Sequence, residues 1–486
     1  MSTSPASGHW LRQRRAGVLL HPTSLDQGRG AFGAPARAFI DWLAAAGFTL
    51  WQVLPLAATG PGGSPYWARS DFAGEPGLID QDERPDPREH ATDFEAFTTS
   101  SAGWLDDYTL FEALGERFGG VPWWQWPAVY RDRDAATLAQ ARAELAGRIG
   151  RCRLEQWQFD WQWRALRRYA AARGVRIVGD LPIYVAPDSA STWAHREQFQ
   201  LHADGTPAAL AGVPPDYFSA DGQLWGNPLY DWGQAQRDGF AFWRARVASG
   251  LSRCDLLRID HFRGLAAYWS VPAGETTARN GRWVEAPGHE LLATLAAQYP
   301  QLPFIAEDLG YITAEVIRLR EDFALPGMRV LQFGFGGAAD NPHLPHNYVA
   351  ATVAYTGTHD NDTSLGWYRS LDDGLRAEVN RYLRLDDAAD TADTTDVAGD
   401  RRVAAPSRAM PGALVHALLA SVAAFAVVPA QDLLGLGSEA RLNRPGTTQG
   451  NWHWRLPPDA LTPGLAAYYA ALNRVFGRWL PEEKTL

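Results

Sequence analysis

Residues 256–264 read LLRIDHFRG. An apolar run leads directly into Arg258, Asp260, His261 and Arg263. Two guanidinium groups, a carboxylate and an imidazole at the end of a buried strand cost desolvation energy unless they pair or act on something. Arg258 and Asp260 lie two residues apart on one extended segment, so their side chains share a face. The same design recurs along the chain. Apolar runs ending in polar groups occur at 17–22 (GVLLHP), 48–56 (FTLWQVLPL), 175–185 (VRIVGDLPIYV) and 255–262 (DLLRIDHF). Four more follow at 302–309 (LPFIAEDL), 327–335 (GMRVLQFGF), 352–360 (TVAYTGTHD) and 425–432 (FAVVPAQD). Continuous apolar runs of this length suit strands covered on both faces, as in a parallel sheet.

Helical periodicity separates the runs. PARAFIDWLAAAG (35–47) ends on Gly47, a helix stop signal, and GHELLATLAAQYP (288–300) repeats the pattern. TAEVIRLREDF (313–323) adds Thr313 at the N-cap position and Glu315 in the first turn. The strand–helix alternation predicts a (β/α)8 barrel. An open doubly wound sheet is the alternative, but no GxGxxG follows the first run. One barrel then spans 1–486, with two large insertions. A helical subdomain is expected over about 67–165, and a Pro-, Gly- and Trp-rich rim around Trp225 over about 186–250. The stretch 386–402 is acidic and poor in apolar residues, as expected of a surface loop.

The 486 residues carry a net charge of -10, which argues against nucleic acid as a partner. The short RQRR cluster at 12–15 reads as a solvated face before the first strand rather than a targeting signal. Cys152 and Cys254 have neither metal-ligand spacing nor a disulfide framework, and reduced thiols point to the cytoplasm. ALVHALLASVAAFAVVPA (413–430) contains His416 and ends near Pro429, and reads as a buried helix entering a buried strand rather than a membrane span. No secretory signal is expected at the start of the chain. Tryptophan is abundant, with 21 residues. Those at 123–126 (WWQW), Trp157 and Trp161 are expected to fill a helical core, while the high number modestly favours a sugar ligand.

In a barrel, the carboxyl ends of the strands converge on one mouth. Asp180, Asp260, Glu307, Asp308, Asp360 and Asp432 all stand at such ends, with His261 and His359 beside them. A ring of acids binds a divalent cation, or stabilises a developing positive charge, or merely pairs with neighbouring arginines. Arg258 beside Asp260 would repel a metal and keep the aspartate ionised, so no catalytic metal and no cofactor are expected. Retaining glycoside chemistry uses one ionised carboxylate as nucleophile and one protonated carboxyl as acid. Asp260 suits the nucleophile and Glu307 the proton donor, its pKa raised by burial and by nearby negative charge. Asp360 suits hydrogen bonding to sugar hydroxyls. The two reacting carboxyls should then lie about 5–5.5 Å apart.

A set of motifs resembles one family over nearly the whole chain. They are GSPY (63–66), GDLPIYV (179–185), LWGNPLYDW (224–232), RIDHFRG (258–264), AEDLG (306–310), GMRVLQF (327–333), YTGTHDNDT (355–363) and NRPGTTQGNW (443–452). In this order they resemble the 4-alpha-glucanotransferases, also called amylomaltases or disproportionating enzymes, relatives of the alpha-amylases. The resemblance implies Asp260 as nucleophile, Glu307 as acid/base and Asp360 as transition-state stabiliser. It implies that Arg258, His359 and Asp180 hold the sugar beside the nucleophile and that Tyr66 stacks near it, with Ser64 and His261 completing the set. Gln223, Trp225 and Asn227 would fold over the donor chain, and Asn443 would add a sugar contact. Asn227 and Asn443 also read as turn residues. His453 stands where the family usually shows Arg, and Leu442 where Met is common, which puts rim contacts in doubt rather than the chemistry. With about fifty residues after the eighth run, the terminal β-sandwich of the alpha-amylases is expected to be absent.

Maltooligosaccharides and α-1,4-glucans are the implied partners, with no nucleic acid and no membrane. Transfer to another sugar is the leading reading. A hydrolase of the amylase type and a non-catalytic sugar-binding protein are the alternatives. The same carboxylates serve transfer and hydrolysis, so the rim decides between them through water exclusion. Oligomeric state leaves no signal in the sequence.

Overall fold

The computed structural model describes residues 9–11, 13–215, 219–385, 409–447 and 449–479; the acidic stretch 386–402 lies outside them. The described strands are β1 (Arg15–Leu19), β2 (Leu50–Gln52), β3 (Arg176–Leu181), β4 (Ala209–Val213), β5 (Gln223–Pro228) and β6 (Leu256–Ile259). They continue as β7 (Ala267–Pro272), β8 (Arg282–Glu285), β9 (Phe304–Ala306), β10 (Gly327–Val330), β11 (Thr352–Tyr355) and β12 (Phe425–Pro429). Eight of them close into a barrel in the order β1-β12-β11-β10-β9-β6-β3-β2. Every neighbouring pair in it is parallel. This is the (β/α)8 architecture, and each of the eight apolar runs supplies one stave.

Period-two alternation sorts the strand side chains. Leu19, Leu50, Val178, Leu256, Ile305, Val330, Val353 and Phe425 form one buried cluster drawn from all eight staves, the barrel interior. Their sequence neighbours Val18, Trp51, Ile177, Leu257, Phe304, Ala354 and Ala426 belong to a second cluster, against the surrounding helices. Extending the interior parity two residues past Val178, Leu256 and Ile305 reaches Asp180, Arg258 and Glu307. Polar groups therefore cap the interior at its carboxyl end because of where each run stops.

The helices at Ala34–Ala45, Gly288–Gln298 and Ala314–Asp322 follow the periodic segments. Thr313 occupies the N-cap of the last, but its side chain makes no capping bond. Between β2 and β3 the chain forms helices at Ala91–Ser100, Ala102–Arg117, Ala128–Arg131, Ala135–Glu144 and Ala146–Ala171. They share a small apolar core in which Trp123, Trp126 and Trp193 pack with Phe111 and Leu114. Trp157 is fully buried, whereas Trp161 is half-buried against His90. The RQRR cluster is not simply solvated: Arg14 Nη2 donates to the carbonyls of Leu419 (3.2 Å) and Ser421 (2.6 Å) at the end of helix Gly412–Ala420. That helix runs into β12 as expected, and no described helix is long and apolar enough to cross a membrane.

The Pro-, Gly- and Trp-rich region after β3 contains regular strands. β4 and β5 pair with β7 and β8 in a four-stranded antiparallel sheet, order β5-β4-β7-β8. The loops after two successive staves thus combine into one wall. Gly226, at φ +81°, breaks the pleat of β5. No residue with a Cβ adopts that conformation easily.

Trp163 is buried, packs 5.0 Å from Phe32, and donates its indole N–H to the Arg253 carbonyl at 2.8 Å. Trp163→Ala should destabilise the protein by about 3–5 kcal/mol in denaturant unfolding. A loss below about 1 kcal/mol would show that the helix–barrel seam does not rest on this ring.

Candidate active site

Arg258 is the centre of the barrel mouth. Its Nη1 donates to both oxygens of Asp180 (2.8 and 2.7 Å), and its Nη2 donates to Asp260 Oδ1 (2.8 Å). The Arg258 side chain is 6 % exposed and the Asp180 side chain fully buried. Burial alone would lower the Arg258 pKa, but Asp180 and Asp260 outweigh it and leave the guanidinium firmly charged. Asp180 also accepts the hydroxyl of Tyr66 at 2.7 Å. The Tyr66 ring stacks on His359 at 5.2 Å with an interplanar angle of 10°.

Asp260 follows the last residue of β6. Its amide donates to the Leu181 carbonyl (3.0 Å), and its side chain is 27 % exposed, so one face stays open to a ligand. Burial outweighs the pull of Arg258, which lowers the Asp260 pKa as expected. Burial raises it to about 6, Arg258 draws it back, and Asp180 and Asp360 push it up. The open face admits water, which places the acid limit at or below that value. At neutral pH the carboxylate is ionised either way.

Glu307 follows β9, the stave beside β6. The register Ile259↔Ala306 sets Asp260 opposite Glu307, at the spacing of adjacent strands, about 4.8 Å. The Glu307 carboxyl is held on both sides: His261 N–H donates to Oε2 (2.6 Å) and Leu309 N–H to Oε1 (2.9 Å). His261 reaches it from a left-handed conformation at φ +46°, uncommon outside glycine. Burial raises the Glu307 pKa to about 8, against the pull of Arg258 and the two amides and with the push of Asp260. Burial and negative charge thus act in the expected direction. The two carboxyls titrate as a pair, with Glu307 holding the proton at neutral pH.

Asp360 stands across the mouth, its side chain 46 % exposed. Asn443 Nδ2 donates to its Oδ1 at 2.6 Å, and Arg441 Nη2 holds its backbone carbonyl at 2.7 Å. His359 Nε2 lies 3.4 Å from the same Oδ1, and burial lowers the pKa of that imidazole. Trp225 meets His261 edge-on at 4.8 Å and is tied to Gln223 by a 3.1 Å indole hydrogen bond. Burial, with help from Arg263, lowers the His261 pKa to about 3, so this contact is with a neutral ring. Ser64 Oγ accepts the Tyr66 amide at 3.3 Å.

Not every expected residue faces the cleft. Asn227 is a strand residue rather than a turn residue; it is buried, and its Nδ2 donates to the Val185 carbonyl at 2.9 Å. Asp308 has the outward parity and binds Met328 N–H (2.7 Å) and Arg320 (2.6 Å). Asp432 accepts Thr356 Oγ1 (2.6 Å), Ser364 N–H (2.7 Å) and Ser364 Oγ (2.6 Å). Both were expected in the acid ring, yet both have their oxygens occupied by structural bonds. The sequence reasoning missed Arg441 and Trp452. The Trp452 ring lies 6.1 Å from Tyr66 and 6.2 Å from His359. Trp452 ends the 443–452 motif, which was the available signal. Among the described residues no group of three His, Cys, Asp or Glu side chains is arranged to hold a metal.

Known proteins share this arrangement of chain. A family model described as 4-alpha-glucanotransferase matches residues 20–88 and 80–462. The 4-alpha-glucanotransferase of Thermus thermophilus is 45% identical, with 94% of this chain and 98% of that one aligned. The Synechocystis enzyme of the same name is 40% identical, over 96% and 99%. The amylomaltase of Streptococcus agalactiae, solved with acarbose, superposes with a TM-score of 0.88 at 33% identity, over 96% of this chain and 100% of that one. By full-length sequence and by fold alike, the chain belongs to the 4-alpha-glucanotransferase family.

Proposed function

We propose that this chain transfers α-1,4-glucan segments between maltooligosaccharides by a retaining double displacement. The observation that carries the reading is the pairing across adjacent staves: a partly open, Arg258-bound Asp260 opposite a buried Glu307. Asp260 attacks the anomeric carbon while Glu307 gives its proton to the departing 4-oxygen. The glycosyl ester removes the charge on Asp260, which lowers the Glu307 pKa and leaves Glu307, now ionised, as the base for the second step. It accepts the proton of the incoming 4-hydroxyl, which displaces Asp260 and restores the α-linkage. Asp360, set by Asn443, and His359, stacked on Tyr66, hold hydroxyls of the reacting ring. Gln223 and Trp225, on the antiparallel wall, cover the cleft and keep water from the ester. We read about 67–165 as an inserted helical subdomain and about 186–250 as the insertion that builds this rim. The buried free thiols of Cys152 and Cys254 suit a reducing compartment, and we assign the chain to the cytoplasm.

Incubation with maltotriose should yield glucose and a ladder of longer chains with the number of reducing ends unchanged. Reducing ends that rise in step with cleavage would establish hydrolysis instead. Asp260→Asn should lower turnover by roughly 10⁴-fold or more while leaving the circular dichroism spectrum intact. Activity close to wild type in that variant contradicts the assignment of the nucleophile.

The pH profile of kcat/KM should be bell-shaped. Activity requires Asp260 ionised, so it rises with pH through a limb at or below about 6. It requires Glu307 protonated, so it falls through a limb near 8. A profile flat from pH 5 to 9 would show that neither group titrates in the rate-determining step.

A further inference from the structure

Among the described residues, most large aromatic side chains are packed away, but two rings stand in water. Tyr311 is 69% exposed and Phe333 42% exposed, and no other aromatic side chain is among the exposed large hydrophobics described. They follow β9 and β10, the stave that carries Glu307 and the stave next to it. A single exposed ring is ordinary on a protein surface; Tyr311 is set apart by its support and by its place on the loop that follows Glu307.

Tyr311 is rigidly supported. Gly310, at φ +82°, turns the chain just before it. Arg263 Nη1 donates to the Tyr311 carbonyl at 2.9 Å. The same buried guanidinium lies 3.6 Å over the Trp283 ring on β8 and 5.8 Å from the Tyr311 ring. Its neighbour His261, two residues earlier, donates its amide to Glu307, while Leu309, two residues before Tyr311, donates to the other Glu307 oxygen. One short stretch therefore fixes both the acid and the exposed ring.

The acid must lie at the glycosidic oxygen, between the sugar retained and the sugar released. Tyr311 stands on the loop between β9 and the helix Ala314–Asp322, shortly after Glu307. The Tyr66, His359 and Asp360 group lies on other staves, with the retained ring. We infer that Tyr311 is the stacking platform for the acceptor chain, a specificity-determining residue whose ring face meets the C–H face of an incoming glucosyl unit. Arg263 is its positioning residue. The inference rests on the transfer reading above. It gives the protein a means of favouring a sugar over water as the nucleophile of the second step.

The test uses a donor that needs no sugar on the acceptor side. Maltotriosyl fluoride loads the full-length enzyme, fluoride release reports loading, and maltose at varied concentration competes with water for the ester. In Tyr311→Ala, fluoride release without acceptor should match wild type. The maltose concentration at which transfer equals hydrolysis should rise about fivefold or more, and Tyr311→Phe should stay within about twofold. An unchanged partition in Tyr311→Ala overturns the inference. So does a fall in fluoride release equal to the fall in transfer, which would make the ring structural. Wild-type enzyme that sends all of its ester to water at every maltose concentration overturns the transfer reading itself, and this inference with it.

Discussion

The site depends on one buried cation. Arg258 bridges Asp180 and Asp260 in a buried position, with Met328 Sδ against its Nε. A lone guanidinium there would carry a large desolvation penalty, and so would either carboxylate. Together they satisfy one another, and the arrangement fixes the Asp260 carboxyl at one oxygen while leaving the other free. The same charge pulls against burial at Asp260 and at Glu307. It therefore holds down both limits of the window in which one is ionised and the other is not.

The barrel makes this arrangement inexpensive. Interior parity carries Leu256, Arg258 and then Asp260 up one stave, and Ile305 then Glu307 up the next. No long-range adjustment is needed to bring the two carboxyls together; strand spacing does it. The loops then supply what strands cannot. His261 adopts a left-handed conformation that turns its amide to Glu307, a local strain located at the chemistry. The antiparallel sheet built from the loops after β3 and β6 brings Trp225 over that kink.

Much of this was legible in the chain. The eight apolar runs marked the staves because strands covered on both faces need no polar alternation. Asp180, Arg258, Asp260, Glu307, His359 and Asp360 could be placed because polar residues at the end of such runs have few other places to go. Parity distinguishes Glu307 from Asp308, and it was available from Ile305 onward, but a run of acids hides which one faces inward. Asp432 escaped for a different reason: its partners Thr356 and Ser364 are distant in sequence. The β4–β5–β7–β8 sheet was invisible because it joins short segments interrupted by Gly212, Gly226 and Pro228, with pairing that closes between the loops after β3 and β6. The upward push of burial on Asp260 was hidden because a guanidinium is written in the sequence and burial is not.

The central claim is that Asp260 carries the sugar between the two half-reactions. A slow glycosyl donor with a good leaving group should trap that state, and peptide mass mapping then locates the label. The account predicts a single glycosyl adduct on the peptide containing Asp260, lost when an acceptor sugar is added. A label on Glu307 or Asp360, or complete turnover with inversion at the anomeric carbon and no adduct, would contradict it.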